Sequence, residues 1–203
     1  MPNVSICVAT YGDNSWKEMA KRAIASAECQ TVPCEVIYVH GETLASARNE
    51  AVRESSGEWI VCLDADDQLT TDYVEKSIDA QQKTGGTLIF PLVGKVSLDG
   101  SWQLLRYMKG NLLERNFCVI GSMFRREDFI KVGGFDDRIP IFEDWELWLK
   151  LWVNGAIIQP SEAIYVYNMR PNSRNQQQDL ISEWYNTIKH TYYPIAKQKG
   201  LVK

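Results

Sequence analysis

The stretch "VCLDADDQLT", from Val61 to Thr70, carries the strongest single indication of the fold. An apolar run ends in three aspartates, Asp64, Asp66 and Asp67, within four residues. Carboxylates this close repel one another and resist burial. The stretch therefore predicts one of two things at the end of a strand: a solvated acidic turn, or a site for a positively charged ligand.

The segments around this stretch alternate between strand-like and helix-like patterns. Strand-like runs cover residues 4–10, 35–40, 58–63 and 87–93, and helix-like runs cover 14–30, 43–57 and 70–86. Such alternation predicts a parallel sheet flanked by helices. Ligands of these sheets bind at the carboxyl ends of the strands, where the three aspartates would lie.

The second half of the chain has a different pattern. It predicts a hairpin around Asp99 and Gly100, a strand with a short helix in 117–135, a helix over 142–155, and two short strands in 156–168. A polar, mobile loop over 170–178 and a last helix from about Asp179 to His190 would follow, before a frayed tail. Trp145, Trp148, Leu149 and Trp152 form one apolar stripe, which indicates core packing.

We therefore predict an α/β fold with a mixed, mostly parallel sheet. The whole chain, 1–203, would be a single domain. Residues 1–95 would be its nucleotide-binding half, and residues 96–203 would be the half that binds an acceptor.

Composition narrows the possible functions. The chain has 203 residues, 45% of them hydrophobic, and a net charge of −4, which disfavours nucleic acid as an obligate partner. Two histidines exclude most His-rich metal sites, and five cysteines without a CxxC pair predict a reduced protein without zinc. With no signal peptide and no run long enough to span a membrane, we expect a soluble, cytoplasmic protein.

The aspartate cluster suits a divalent cation. Hard carboxylate oxygens at a sheet edge favour Mg²⁺ or Mn²⁺, with a diphosphate completing the ligands. The alternative is an acidic turn that leads into the next helix, where acids are favourable at the N-terminus.

Glu143 and Asp144 open the tryptophan-rich helix. One reading is a carboxylate that points into the cleft and serves as general base for a hydroxyl nucleophile. The alternative is stabilisation of the first helical turn.

Other polar residues lie near the same edge or in the late loop. Thr10 and Tyr11 end the first strand and could contact a nucleotide base, and Arg48 could meet a phosphate or the base. Arg170 and Arg174 could close over a diphosphate. For each group, an ordinary turn, helix face or solvated loop is the competing interpretation. Trp102 in the hairpin is a candidate acceptor contact.

Three segments together resemble a known family. They are "VSICVATYGD", "SARNEAVRESSGEWIVCLDADDQLTTDYV" and "VGGFDDRIPIFEDWELWLKL". In order and spacing they resemble the family-two inverting glycosyltransferases, which have the GT-A fold, over about Val4 to Arg174. The resemblance implies transfer of a sugar from a nucleotide-diphosphate donor, with a UDP-sugar favoured, to an acceptor hydroxyl.

The resemblance also implies roles for the site residues. Thr10 and Tyr11 would line the base, Asp64 would hold the ribose, and Asp66, either alone or together with Asp67, would hold the cation. Asp144 would deprotonate the acceptor, and Glu143 would support that base or contact the acceptor.

The sequence departs from the family pattern at two places. A "DDGS"-like turn after the second strand is replaced by "VHGETLAS", so His40 and Glu42 would substitute at the base. The late loop lacks the usual histidine metal ligand, and Asn172 would substitute. The "QxxRW" motif of processive synthases is absent, which favours transfer of a single sugar to a saccharide, glycolipid, protein or modified nucleobase.

Two other functions remain open from the sequence. A nucleotidyltransferase would also use an acidic sheet edge and Mg²⁺, although "TYGDNSW" lacks the basic, Gly-rich phosphate loop expected after the first strand. A non-catalytic nucleotide-sugar binding module is the second, and the intact Asp64, Asp66 and Asp144 argue against it.

Overall fold

The computed structural model describes residues 3–107, 109–171 and 178–202. Its strands are β1 (Val4–Tyr11), β2 (Glu35–Gly41), β3 (Trp59–Asp64), β4 (Gln68–Leu69), β5 (Leu88–Val96), β6 (Trp102–Leu105), β7 (Met123–Arg125) and β8 (Ile158–Asn168). Its helices are α1 (Ser15–Glu28), α2 (Leu44–Glu54), α3 (Tyr73–Thr84), α4 (Arg126–Val132), α5 (Glu143–Val153) and α6 (Gln178–Gln198).

The strands form a mixed sheet in the order β2-β1-β3-β7-β5-β8-β4, with β6 beside β5. The β1 strand is parallel to both β2 and β3, and β5 is parallel to β8. The short β7 strand runs antiparallel between β3 and β5. The α/β fold predicted from the sequence, a mixed sheet flanked by helices, is confirmed.

Two predictions about the second half were wrong. The segment 156–168 contains one long strand, β8 (Ile158–Asn168), rather than two short ones. Between the pairs Phe90–Pro160 and Leu92–Ile164, the chain advances four positions on β8 and two on β5. The register shifts there, and β8 continues as one strand.

The last helix also extends beyond His190, through Pro194, to Gln198. The reason is packing: Ile188, Tyr192 and Ala196 are all buried and recur every fourth residue, so one face of the helix stays docked on the core. Among the described residues, no helix has the length and apolar character needed to cross a membrane.

The core contains buried side chains from both the strands and the helices. The largest buried side chains include Trp59, Tyr73, Phe90, Phe117, Phe124, Trp145, Trp148 and Tyr165. Trp145 and Trp148 are therefore core residues, as the stripe on α5 predicted, and they fix the position of that helix.

Candidate active site

A cavity of about 580 Å³ opens at the carboxyl ends of β1, β3 and β5. This volume is within the range of small-molecule sites. The predicted site residues that line it are Thr10, Tyr11, Arg48, Asp64, Asp66, Asp67, Glu143, Asp144 and Arg170. The structure thus brings together segments that are up to 160 positions apart in sequence.

The three aspartates after β3 form a tight cluster. One oxygen from each of Asp64, Asp66 and Asp67 lies within 4.8 Å of the others. The Tyr165 hydroxyl donates to Oδ2 of Asp67 over 2.8 Å, and the backbone N–H of Asn168 donates to Oδ1 of Asp67 over 2.8 Å. Burial, followed by the charges of Asp66 and Asp64, raises the pKa of Asp67 well above its usual range. Both oxygens of Asp67 are therefore engaged by the protein.

Asp66 is bound by Arg170. Nε of Arg170 donates to Oδ2 of Asp66 over 2.5 Å, and the same guanidinium lies 4.6 Å from the Trp16 ring centroid. Burial and the neighbouring Asp64 raise the pKa of Asp66, and Arg170 partly offsets this. A cluster of carboxylate oxygens fits a divalent metal, and the Arg170 guanidinium supplies positive charge beside Asp66.

The Arg48 side chain, for which the sequence suggested a contact to phosphate, is bonded to two carboxylates of the protein. It is 2% exposed, and it donates to Oδ1 of Asp64 over 2.5 Å and to Oε1 of Glu143 over 2.9 Å. Burial alone would lower the pKa of Arg48, but the two carboxylates raise it above its usual value. Arg48 therefore joins the end of β3 to the start of α5.

The start of α5 has a strained turn. Phe142, which precedes the helix, has a φ of +66°. Among the described residues other than glycine, it is the one with a left-handed backbone. This conformation costs roughly 1–2 kcal/mol for an L-residue. It directs the chain so that Glu143 and Asp144 begin the helix at the cavity wall, Glu143 being buried against Arg48.

Asp144 has both of its oxygens placed by hydrogen bonds. The Trp145 amide donates to Oδ1 over 2.7 Å, and Nδ2 of Asn116 donates to Oδ2 over 3.2 Å. Burial and the adjacent Glu143 raise the pKa of Asp144 to about 7, against the lowering effects of Arg48, the Trp145 amide and Asn116. A carboxylate with this pKa is suited to accept a proton near neutral pH.

The predicted base-binding residues lie at the end of β1. Oγ1 of Thr10 is 2.9 Å from both the Tyr38 hydroxyl and Nδ1 of His40, so its side chain is held within the protein. Tyr11 stacks on Trp16 with 6.4 Å between ring centroids. Glu42 is exposed and borders a shallower depression with His40, outside the lining of the main cavity.

Three other candidates lie elsewhere. Asn172 and Arg174 are outside the described residues. Trp102 is 52% exposed and covers Gly94, where an added Cβ would lie 1.7 Å from its ring. It faces away from Val93 and Leu105, the paired residues that line the cavity, because side chains alternate along a strand.

Sequence reasoning missed several residues of the cavity wall: Lys95, Tyr107, Asn116, Tyr165 and Tyr167. Alternation along the fourth strand could have placed Lys95 on the same side as Val93. No local signal could have joined Asn116 to Asp144, because the segment around it has no regular pattern.

The fold is shared with a glycosyltransferase of known structure. The structure of S. aureus TarS superposes with a TM-score of 0.64 at 15% identity, over 83% of this chain and 37% of TarS. A shorter TarS structure, residues 1–349 in complex with UDP-GlcNAc, superposes with a TM-score of 0.63 at 13% identity, over 86% of this chain and 61% of that one.

Sequence comparison gives the family. The profile of Glycosyl transferase family 2 matches residues 6–133, and the chain belongs to that family. The uncharacterized glycosyltransferase YwdF of Bacillus subtilis (strain 168) is 26% identical over an alignment of 144 residues, and the match covers 66% of this chain. The chain corresponds to 54% of the length of YwdF.

Proposed function

We propose that this chain is a metal-dependent inverting glycosyltransferase that moves one sugar from a UDP-sugar to an acceptor hydroxyl. The observation that carries the proposal is the meeting of two carboxylate sites in one cavity. Asp66, within the cluster of Asp64, Asp66 and Asp67, provides hard oxygen ligands, and Asp144 provides a proton acceptor with a pKa of about 7. Such an arrangement supports activation of a nucleophile opposite a charged leaving group.

The donor would lie along the β1 and β3 edge. Tyr11 and Trp16 offer aromatic faces to the base, and Asp64 is placed by Arg48 to meet the ribose. The UDP-GlcNAc complex of TarS supports a UDP-sugar as the donor. We assign residues 1–95 to this donor half and residues 96–203 to the acceptor half of one domain.

Asp66 would hold Mn²⁺ or Mg²⁺, with Asp67 bracing the turn from behind. The bound cation supplies positive charge that stabilises the departing diphosphate. Arg170, which now pairs with Asp66, would then be released to contact the diphosphate. As the sequence predicts, Asn172 would be a further metal ligand and Arg174 a further contact to the diphosphate.

In the transfer step, Asp144 accepts the proton of the acceptor hydroxyl. The oxygen forms a bond to the anomeric carbon on the face opposite the diphosphate. The bond between that carbon and the phosphate oxygen breaks, and its electron pair leaves with the nucleoside diphosphate. Attack from the opposite face inverts the configuration, while Asn116 and the Trp145 amide keep the Asp144 carboxylate aimed.

A thermal-shift screen of nucleotide sugars with and without Mn²⁺ tests the proposal. We expect a UDP-sugar to raise the melting temperature only when Mn²⁺ is present, and slow hydrolysis of that donor to follow. Pyrophosphate release from a nucleoside triphosphate would instead indicate a nucleotidyltransferase. Donor binding without any hydrolysis would indicate a binding module.

A further inference from the structure

Lys95 differs from the other charged residues of the cavity lining. Its ammonium makes no ion pair or hydrogen bond within residues 3–107, 109–171 and 178–202. The other charged lining residues are each bonded to a protein group: Arg48, Asp64, Asp66, Asp67, Glu143, Asp144 and Arg170. The cavity thus keeps one cation uncommitted although its lining carries more acids than bases.

Two tyrosines accompany Lys95 on the same wall. Lys95 on β5 is the register partner of Tyr167 on β8, so their side chains leave the sheet on the same face. Tyr107, which follows β6, also lines the cavity. The phenol hydroxyls of Tyr107 and Tyr167 also make no hydrogen bond to another described residue. One ammonium and two hydroxyls are therefore available to a ligand from a single wall.

This wall is separated from the base-binding end of the cavity. In the sheet order, β3 and β7 lie between β1, which carries Thr10 and Tyr11, and β5, which carries Lys95. With strands spaced about 4.8 Å apart, β1 and β5 are roughly 14 Å from each other. Lys95 also lies two residues beyond Val93 on β5, and the register partner of Val93, Tyr165, donates a hydrogen bond to Asp67.

We infer that Lys95, Tyr107 and Tyr167 form a subsite for a phosphate or carboxylate group carried by the acceptor. The inference rests on the proposed function, because it names the class of molecule whose hydroxyl is glycosylated. An ammonium and phenol hydroxyls that line the same cavity can recognise an anion through charge-assisted hydrogen bonds. The donor diphosphate is served by Asp66 with its cation and by Arg170, so the anion at Lys95 belongs to the second substrate.

The test uses glucose 6-phosphate as an anionic probe and glucose as its neutral counterpart. Each is titrated calorimetrically into the protein saturated with UDP and Mn²⁺, which fills the diphosphate position. We expect glucose 6-phosphate to bind measurably tighter than glucose. Lys95→Met should weaken that binding by at least about tenfold, and Lys95→Arg should largely keep it. Lys131→Met, which removes an exposed lysine on α4, is the matched control and should change nothing.

The other outcomes count against either the inference or the proposed function. Equal binding of glucose and its phosphate, or a Lys95→Met protein that binds the phosphate normally, overturns the inference. If Lys95→Met weakens UDP itself and leaves the sugar phosphate unaffected, Lys95 serves the donor and the inference is wrong. Failure of UDP and Mn²⁺ to bind the unmodified protein counts against the proposed function instead, and it is read from the first titration alone.

Discussion

Nδ2 of Asn116 donates a hydrogen bond over 3.2 Å to Oδ2 of Asp144. The two residues come from different parts of the chain, an irregular segment before β7 and the first turn of α5. Oδ1 of Asn116 is buried and has no hydrogen-bond partner among the described residues. The amide is therefore oriented chiefly by what its nitrogen does, which is to hold the proposed base.

Asn116→Ala should move the acid limb of the pH–rate profile to higher pH. A donor that bonds to a carboxylate stabilises its charged form, so its loss raises the pKa of Asp144 further above 7. The profile of donor hydrolysis or sugar transfer measures the shift. Asn186→Ala, an exposed asparagine on α6, is the control. A lower rate with an unchanged profile would show that Asn116 acts only on structure.

Asp144→Asn should abolish transfer and yet stabilise the protein at alkaline pH. The folded pKa of Asp144, about 7, is above its ordinary value of 3.8, so the folded state binds more protons between these values. Stability therefore falls as pH rises through this window, and the loss is complete above pH 7. Urea unfolding of both proteins at pH 5 and pH 8 measures the effect. An equal difference at the two pH values would mean that Asp144 titrates normally.

Arg48→Met should destabilise the fold more than any surface change of charge. It would leave the carboxylates of Asp64 and Glu143 without their shared partner, which costs about 3–5 kcal/mol for a buried pair. Arg48→Lys should recover only part, since one ammonium lacks the two-sided fork of a guanidinium. Denaturant unfolding gives the values. Arg106→Met, which breaks an exposed pair with Glu162, should leave the free energy of unfolding nearly unchanged.

Arg170→Gln should tighten the binding of Mn²⁺ in the absence of donor. The guanidinium competes with a metal for Oδ2 of Asp66, so its removal frees a ligand atom. We expect affinity to rise by roughly three- to tenfold, measured by electron paramagnetic resonance of free Mn²⁺. With UDP present, Arg170→Gln should instead bind Mn²⁺ more weakly than the unmodified protein does, because the released Arg170 then contacts the diphosphate. Weaker Mn²⁺ binding without UDP would contradict the competition.

The sequence predicted the features that depend on local pattern. The apolar run before Asp64 defined a strand, and a strand in an alternating series puts its following residues at the ligand-binding edge. The same reasoning placed Thr10 at this edge and Asp144 at a helix start.

Features that depend on distant contacts could not be predicted. Arg48 and Glu143 are 95 positions apart, and nothing local to Arg48 distinguishes a buried bridge from a phosphate contact. The extension of α6 past Pro194 depends on burial of Tyr192 and Ala196, which only the packed core determines. Asn116 has a role only because the chain folds it against α5.

The central claim is that Asp66 serves the metal and donor while Asp144 serves the acceptor. Calorimetric titration of UDP in the presence of Mn²⁺, into the unmodified protein, Asp66→Asn and Asp144→Asn, tests it most directly. We expect Asp66→Asn to weaken UDP binding by at least about tenfold, and Asp144→Asn to bind UDP within about twofold of the unmodified protein. Full UDP affinity in Asp66→Asn, or an equal loss in both variants, would contradict this division of roles.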